Sequence, residues 1–275
     1  MPTTAIDNPS VPRTEISAVL FDWGNTLARV HREDEVWQRC ARAAIDAAHA
    51  AGLQSARGTA AQLHDDFVAA RARTMADPKG RELPSDSFFR QWLENLAPGN
   101  VGHVLVDQTI RAFWNEWTDC LDVLDDADRV LASLKARGLI LGIVSNVVAP
   151  GSYCRRQLQR LGLLDHLSTF TFSSEVGLRK PRPEVYRHAL EQLAPLAGGR
   201  PVRPEQILFV GDSPACDVTG PARLGMQTAL LVHPELKSHW PAEDYHEIEP
   251  TFRLTRLNEL ERILTMNHAR IEPQP

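Results

Sequence analysis

Residues 18–27, AVLFDWGNTL, run four apolar side chains into an acid at Asp22, and Gly24 follows two positions later. A continuous apolar run without alternation suits a strand buried on both faces, and the abrupt change to Asp and Gly marks its exit into a loop. Four later runs have the same character: 139–145 (LILGIVS), 169–173 (TFTFS), 207–212 (ILFVGD) and 228–232 (TALLV). Helix-like segments lie between them at 127–137, 154–161, 183–193 and 219–224. Strands alternating with helices predict an α/β fold, a doubly wound parallel sheet covered on both faces. Ligands of such sheets bind outside the carboxyl ends of the strands.

The stretch 32–121 interrupts this alternation. Its periodicity predicts helices over 33–51, 59–75, 86–96 and 104–121, separated by loop signals at 52–58, 77–85 and 97–102. Trp37, Phe67, Phe88, Phe89, Trp92, Phe113, Trp114 and Trp117 fall here and are expected to form the core of a four-helix unit. The domain reading is therefore a core of residues 15–31 and 122–267 with an all-helical insertion at 32–121. Residues 1–14 and 268–275 are expected to be disordered ends.

The chain has 275 residues, 43% of them hydrophobic, enough to bury a real core. Acidic residues outnumber basic ones by 35 to 30 with no block of like charge, so the basic face of a nucleic-acid binder is not expected. No apolar run approaches the roughly 20 residues of a membrane span. The first 14 residues are polar and hold three prolines, unlike a secretory leader. The expectation is a cytoplasmic protein with neither membrane nor nucleic-acid partner. Cys40, Cys120, Cys154 and Cys216 are widely spaced with no CxxC pair, which suggests neither zinc nor disulfides. Only four of the 30 basic residues are lysine, at 79, 135, 180 and 237.

Three strand ends carry groups suited to phosphoryl transfer. Asp22 ends the first run, Ser145 the second and Asp212 the fourth, and Lys180 lies in the loop GLRKPRP (177–183) after the third. In a parallel sheet these ends share one edge. Alone, each has a bland reading as a cap, turn or surface residue; their joint placement overrides it.

These segments resemble the haloacid dehalogenase (HAD) superfamily, and the match covers most of the chain. FDWGNTL (21–27) is similar to the family's first motif, Val144-Ser145-Asn146 to its second, GLRKPRP to its lysine motif, and GDSPACD (211–217) to its acidic fourth. The helical insertion falls where the family places its cap domain. The resemblance implies a phosphatase with Asp22 as nucleophile, forming an aspartyl-phosphate that water hydrolyses. It implies Mg2+ held by Asp22, the carbonyl of Gly24 and Asp212, with Asp217 orienting Lys180 or a metal-bound water from behind. It implies further that Lys180, Thr26, Ser145, Asn146 and loop amides after Asp22 bind the phosphoryl group of a small phosphorylated metabolite. The sequence sets neither the metabolite nor the oligomeric state.

One residue departs from the pattern. Most phosphatases of the family place a second Asp two residues after the nucleophile to protonate the leaving alcohol; here that residue is Gly24. Such acid–base help is worth about 10²–10⁴ in rate. A weakly basic leaving group needs less of it, or a side chain on the cap side could deliver the proton, His31 near the first hinge being a candidate. The alternative is a non-catalytic member that binds a phosphometabolite or a protein. A phosphonoacetaldehyde hydrolase needs a cap lysine, for which Lys79 lacks the context, and a haloacid dehalogenase does not need the paired acids Asp212 and Asp217.

Overall fold

The computed structural model describes residues 6–7, 14–30, 33–54, 58–124, 126–197, 202–232 and 249–271. In chain order the strands are β1 (Ile6–Asp7), β2 (Ala18–Phe21), β3 (Ala28–Val30), β4 (Leu121–Val123), β5 (Ile140–Ser145), β6 (Thr169–Phe172), β7 (Ile207–Gly211), β8 (Gln227–Leu231) and β9 (Phe252–Leu254). The helices are α1 (Glu33–Ala50), α2 (Ala60–Met75), α3 (Ser85–Leu96), α4 (His103–Thr118), α5 (Ala127–Ala136), α6 (Gly151–Arg160), α7 (Ser173–Val176), α8 (Pro183–Leu193), α9 (Gly220–Ala222) and α10 (Glu259–Ile271).

Seven strands form one sheet in the order β1-β9-β8-β7-β2-β5-β6. All neighbours are parallel except β1, which runs antiparallel to β9. Every residue of β2, β7 and β8 is buried, as continuous apolar runs in a doubly covered sheet require. The expected α/β architecture is present. Phe21 of β2 lies opposite Ile143 of β5 and Val210 of β7, so the residues that follow these three strands emerge side by side.

The helical insertion is built around its aromatic residues. Phe67, Phe89, Phe113 and Trp114 are fully buried, and burial of each contributes about 1.5–3 kcal/mol. Ring contacts run from Trp37 to Phe67 (5.3 Å), Phe67 to Phe113 (4.9 Å), Phe113 to Trp114 (4.9 Å), Trp114 to Trp117 (5.7 Å) and Trp117 to Trp23 (5.9 Å). The insertion's core thus reaches the residue next to Asp22.

Four expectations need correction. The helix expected to reach residue 121 stops at Thr118, because Leu121–Val123 pairs antiparallel with Ala28–Val30 and Leu124 N–H donates to Leu27 O. The helix expected at 219–224 is a π-helical turn, Pro214–Thr219, that leads into α9; Ser213 Oγ accepts from Cys216 N–H and starts the turn five residues early. Regular structure also enters both ends read as disordered. Ile6–Asp7 pairs with β9, satisfying a sheet edge that would otherwise be open, and α10 continues to Ile271 from a start whose apolar stripe, Leu260, Ile263 and Leu264, is buried. The other residues of these two ends lie outside the described residues, apart from Thr14. Among the described residues no helix is long and apolar enough to cross a membrane.

Candidate active site

Asp22 leaves the sheet at the end of β2. Its N–H donates to Val210 O at 2.8 Å, extending the parallel pairing by one residue and fixing where the side chain departs. The chain then turns tightly: the N–H groups of Thr26, Leu27 and Ala28 all point to Trp23 O, and Asn25 N–H donates to Ala28 O. Asn25 holds φ +56°, a left-handed conformation that Asn tolerates better than most residues. Of the loop amides expected to bind phosphate, those of residues 25–28 are therefore engaged within the turn, while Trp23 and Gly24 take no donor part in it.

Lys180 reaches this point from the loop after α7. Its ammonium donates to Val144 O and to Asp217 Oδ1, both at 2.7 Å, and lies 3.0 Å from Asp22 Oδ1. The last contact is an ion pair without hydrogen-bond alignment, so Asp22 Oδ1 remains buried with no donor. Burial disfavours the charged ammonium, but the carboxylates of Asp217 and Asp22 outweigh it and hold Lys180 above the ordinary lysine range. Asp217 is fully buried, and burial pushes its carboxyl up to about 6 against the opposing pull of Lys180. Both its oxygens are engaged, Oδ1 by Lys180 and Oδ2 by the N–H of Ser213 at 2.8 Å.

Asp212 completes the group. Oxygens of Asp22, Asp212 and Asp217 lie within 4.8 Å of one another. Three carboxylates against one ammonium leave an excess of two negative charges when all are ionised, at a site with an unsatisfied buried oxygen on Asp22. Hard oxygen donors with that excess charge fit a divalent cation such as magnesium.

A cavity of about 530 Å³ opens beside this group, bounded by Trp23, Gly24 and Asn25 below and by Trp37, Arg71 and Trp117 of the insertion. Ser145 and Asn146 line it; Thr26 does not, and its hydroxyl is fully buried with no hydrogen-bond partner. The side chain of Asn146, expected at phosphate, is turned instead onto the lysine loop: its Oδ1 accepts from Lys180 N–H at 2.7 Å and its Nδ2 donates to Lys180 O at 3.0 Å. Amide groups have one acceptor and one donor end, and both are used here to hold Lys180 in place. His31 lies outside the described residues.

One pair at the cavity escapes sequence reasoning. Glu82, from the loop between α2 and α3, accepts from Arg179 Nη1 at 2.8 Å and from the Ser173 hydroxyl. Around it Glu82 N–H donates to Gly177 O and Arg179 N–H to Gly80 O, so the insertion is laced to the residues just before Lys180. Nothing in the sequence marks a partnership across 97 positions.

Known proteins agree with this architecture. The chain is 30% identical over 178 residues to pyrimidine 5'-nucleotidase YjjG of Escherichia coli, covering 64% of this chain and 69% of that protein. It is 26% identical over 247 residues to glyceraldehyde 3-phosphate phosphatase of Methanopyrus kandleri, covering 89% and 95%. Among solved structures, 2-haloacid dehalogenase from Pseudomonas syringae pv. Tomato superposes with a TM-score of 0.67 at 21% identity over 91% of this chain and 99% of that one. A HAD phosphatase from Thermococcus onnurineus gives 0.59 at 20% identity over 90% and 98%. At those identities the structures speak for the fold alone. Residues 16–225, which carry β2, β5, β6 and β7 of the sheet, the insertion and the Asp22–Lys180–Asp212 cluster together, match the sequence description of one hydrolase family, and the chain belongs to it: the haloacid dehalogenase-like hydrolases.

Proposed function

We propose that this protein is a magnesium-dependent phosphatase of small phosphorylated metabolites, acting through an aspartyl-phosphate on Asp22. The observation that carries the reading is Lys180, buried and placed between Asp22 and Asp217 at the carboxyl edge of the sheet. In the first step a carboxylate oxygen of Asp22 forms a bond to phosphorus as the bond from phosphorus to the ester oxygen breaks, and the leaving oxygen departs with the electron pair. In the second, water hydrolyses the acyl phosphate, returning Asp22 and inorganic phosphate. Lys180 holds Asp22 and presents a fixed positive charge, and Ser145 offers a hydroxyl to the phosphoryl oxygens. Asp217, with both oxygens occupied, positions Lys180, and Asn146 positions it from the backbone side. Asp22, Asp212 and the carbonyl of Gly24 are the groups that would hold Mg2+, which when bound neutralises charge that the carboxylates and a phosphate dianion bring together. Residues 32–121 act as a cap over a core of 15–31 and 122–267.

A phosphate-release screen over phosphorylated metabolites, with and without Mg2+, tests this. Metal-dependent release that Asp22→Asn abolishes is the expected result. Gly24 supports a second reading, a non-catalytic phosphometabolite- or protein-binding member, and silence across a wide panel would favour it.

A further inference from the structure

We infer that the ester this site favours carries its phosphate on an aromatic ring, making the preferred substrates aryl phosphate monoesters. The inference rests on the phosphatase reading and adds the chemistry of the leaving group.

Two independent observations meet here. The first is the cavity wall. Trp23 and Trp117 meet edge to face at 5.9 Å and 81°, and Trp37 faces the same space with the Arg71 guanidinium laid 4.6 Å over its ring. Trp23 follows the nucleophile directly, is only 3% exposed, and its indole Nε1 has no hydrogen-bond acceptor. The charged groups in the wall are already committed to each other, Arg71 to Glu33 at 2.8 Å and Arg179 to Glu82 at 2.8 Å. Asn25, Thr74 and Ser145 also line the wall and offer polar partners, so what the three indoles add is an apolar edge that a polyol's hydroxyls cannot use. A flat ring gains edge or face contacts with the same groups. About 530 Å³ lies within the usual range of small-molecule sites and leaves room for a ring-bearing ligand.

The second observation is Gly24. It lines this cavity, and no heavy atom lies within 4 Å of where its Cβ would be, so the place of a general acid is open space continuous with the wall. Without that acid the leaving oxygen departs as an anion. Water ionises near ~15.7 and alkyl hydroxyls are similarly weak acids, whereas a phenol ionises near ~10. An aryloxide therefore leaves far more readily unprotonated, and takes its proton from water afterwards. Recognition by the wall and departure without acid help select the same compounds.

Binding and turnover must be read separately, because aryl esters are intrinsically reactive. Quenching of tryptophan fluorescence in the Mg2+-loaded Asp22→Asn protein would measure affinity for 2-naphthyl, cyclohexyl and glycerol phosphates, and steady-state kinetics on the native protein would measure kcat and KM. Naphthyl phosphate is expected to bind at least tenfold more tightly than the other two. Gly24→Asp is expected to raise cyclohexyl phosphate turnover by about 10²–10⁴ and naphthyl phosphate turnover by less than tenfold. Equal or tighter binding of the cyclohexyl or glycerol ester, or an equal gain for all three from Gly24→Asp, overturns the aryl preference and leaves the phosphatase reading standing. Absence of release from every ester overturns both.

Discussion

Gly211 and Asp217 approach so closely that a Cβ on residue 211 would lie 2.3 Å from Asp217 Cγ. The glycine at the end of β7 is thus what allows the carboxylate that anchors Lys180 to lie against the strand. Gly211→Ala forces that carboxylate or the strand to move. Overpacking of this kind costs about 1–3 kcal/mol. The variant should melt below the native protein and turn over at least tenfold more slowly; native melting and native turnover together would refute the close approach.

Lys180 is the counter-charge to two carboxylates, so Lys180→Met leaves them facing each other inside the protein. Removing one partner of a buried pair costs about 3–5 kcal/mol. The loss should depend on pH in a definite direction. Burial already pushes Asp217 up to about 6, above the ordinary 3.8, and taking Lys180 away removes the main influence that lowers it. A carboxyl whose folded pKa exceeds its unfolded value contributes stability that is present below the unfolded pKa and lost as pH rises through the folded one. Denaturant titration should therefore show Lys180→Met much weaker than the native protein at pH 8 and closer to it at pH 5. A deficit independent of pH would show that the lysine acts by packing alone.

Asp22, Lys180, Asp212 and Asp217 were legible because each sits at or just beyond an apolar run, and parallel topology alone carries such residues to one edge. Asn146 was legible as a neighbour of the site but not as the clamp on Lys180, since the two are 34 positions apart and their hydrogen bonds depend on how two loops fold back. Thr26 matched the motif, yet a tight turn that spends its amides on Trp23 O buries its hydroxyl away from the cavity. The strand Leu121–Val123 was hidden because helical periodicity runs on past Thr118, and only pairing with Ala28–Val30 decides against the helix. Local pattern fixes elements; long-range pairing reassigns their ends.

If the clustered carboxylates hold a divalent cation as proposed, stability should depend on that cation. A ligand that binds only the folded state adds about 2.7 kcal/mol at a hundredfold excess over Kd. Adding Mg2+ to chelator-treated protein should raise the melting temperature until it saturates, and Asp212→Asn should abolish most of the rise. In chelator the same variant should melt no lower than the native protein, because one of three clustered carboxylates has lost its charge. A rise that survives Asp212→Asn would place the cation elsewhere.

Glu82 tests whether the insertion positions the loop that carries Lys180 or merely packs beside it. Its side chain is 2% exposed while that of Arg179 is 20% exposed, so the pair is screened on one side only and its loss falls below that of a fully buried pair, about 1–3 kcal/mol. Glu82→Gln keeps the shape and one acceptor but removes the charge. Backbone bonds from Glu82 N–H to Gly177 O and from Arg179 N–H to Gly80 O remain, so the fold should survive. Yet Arg179 immediately precedes Lys180, and slack there moves the ammonium relative to Asp22. If the insertion positions the loop, kcat should fall severalfold more than KM rises; a change in KM alone would mean that Glu82 shapes only the cavity wall.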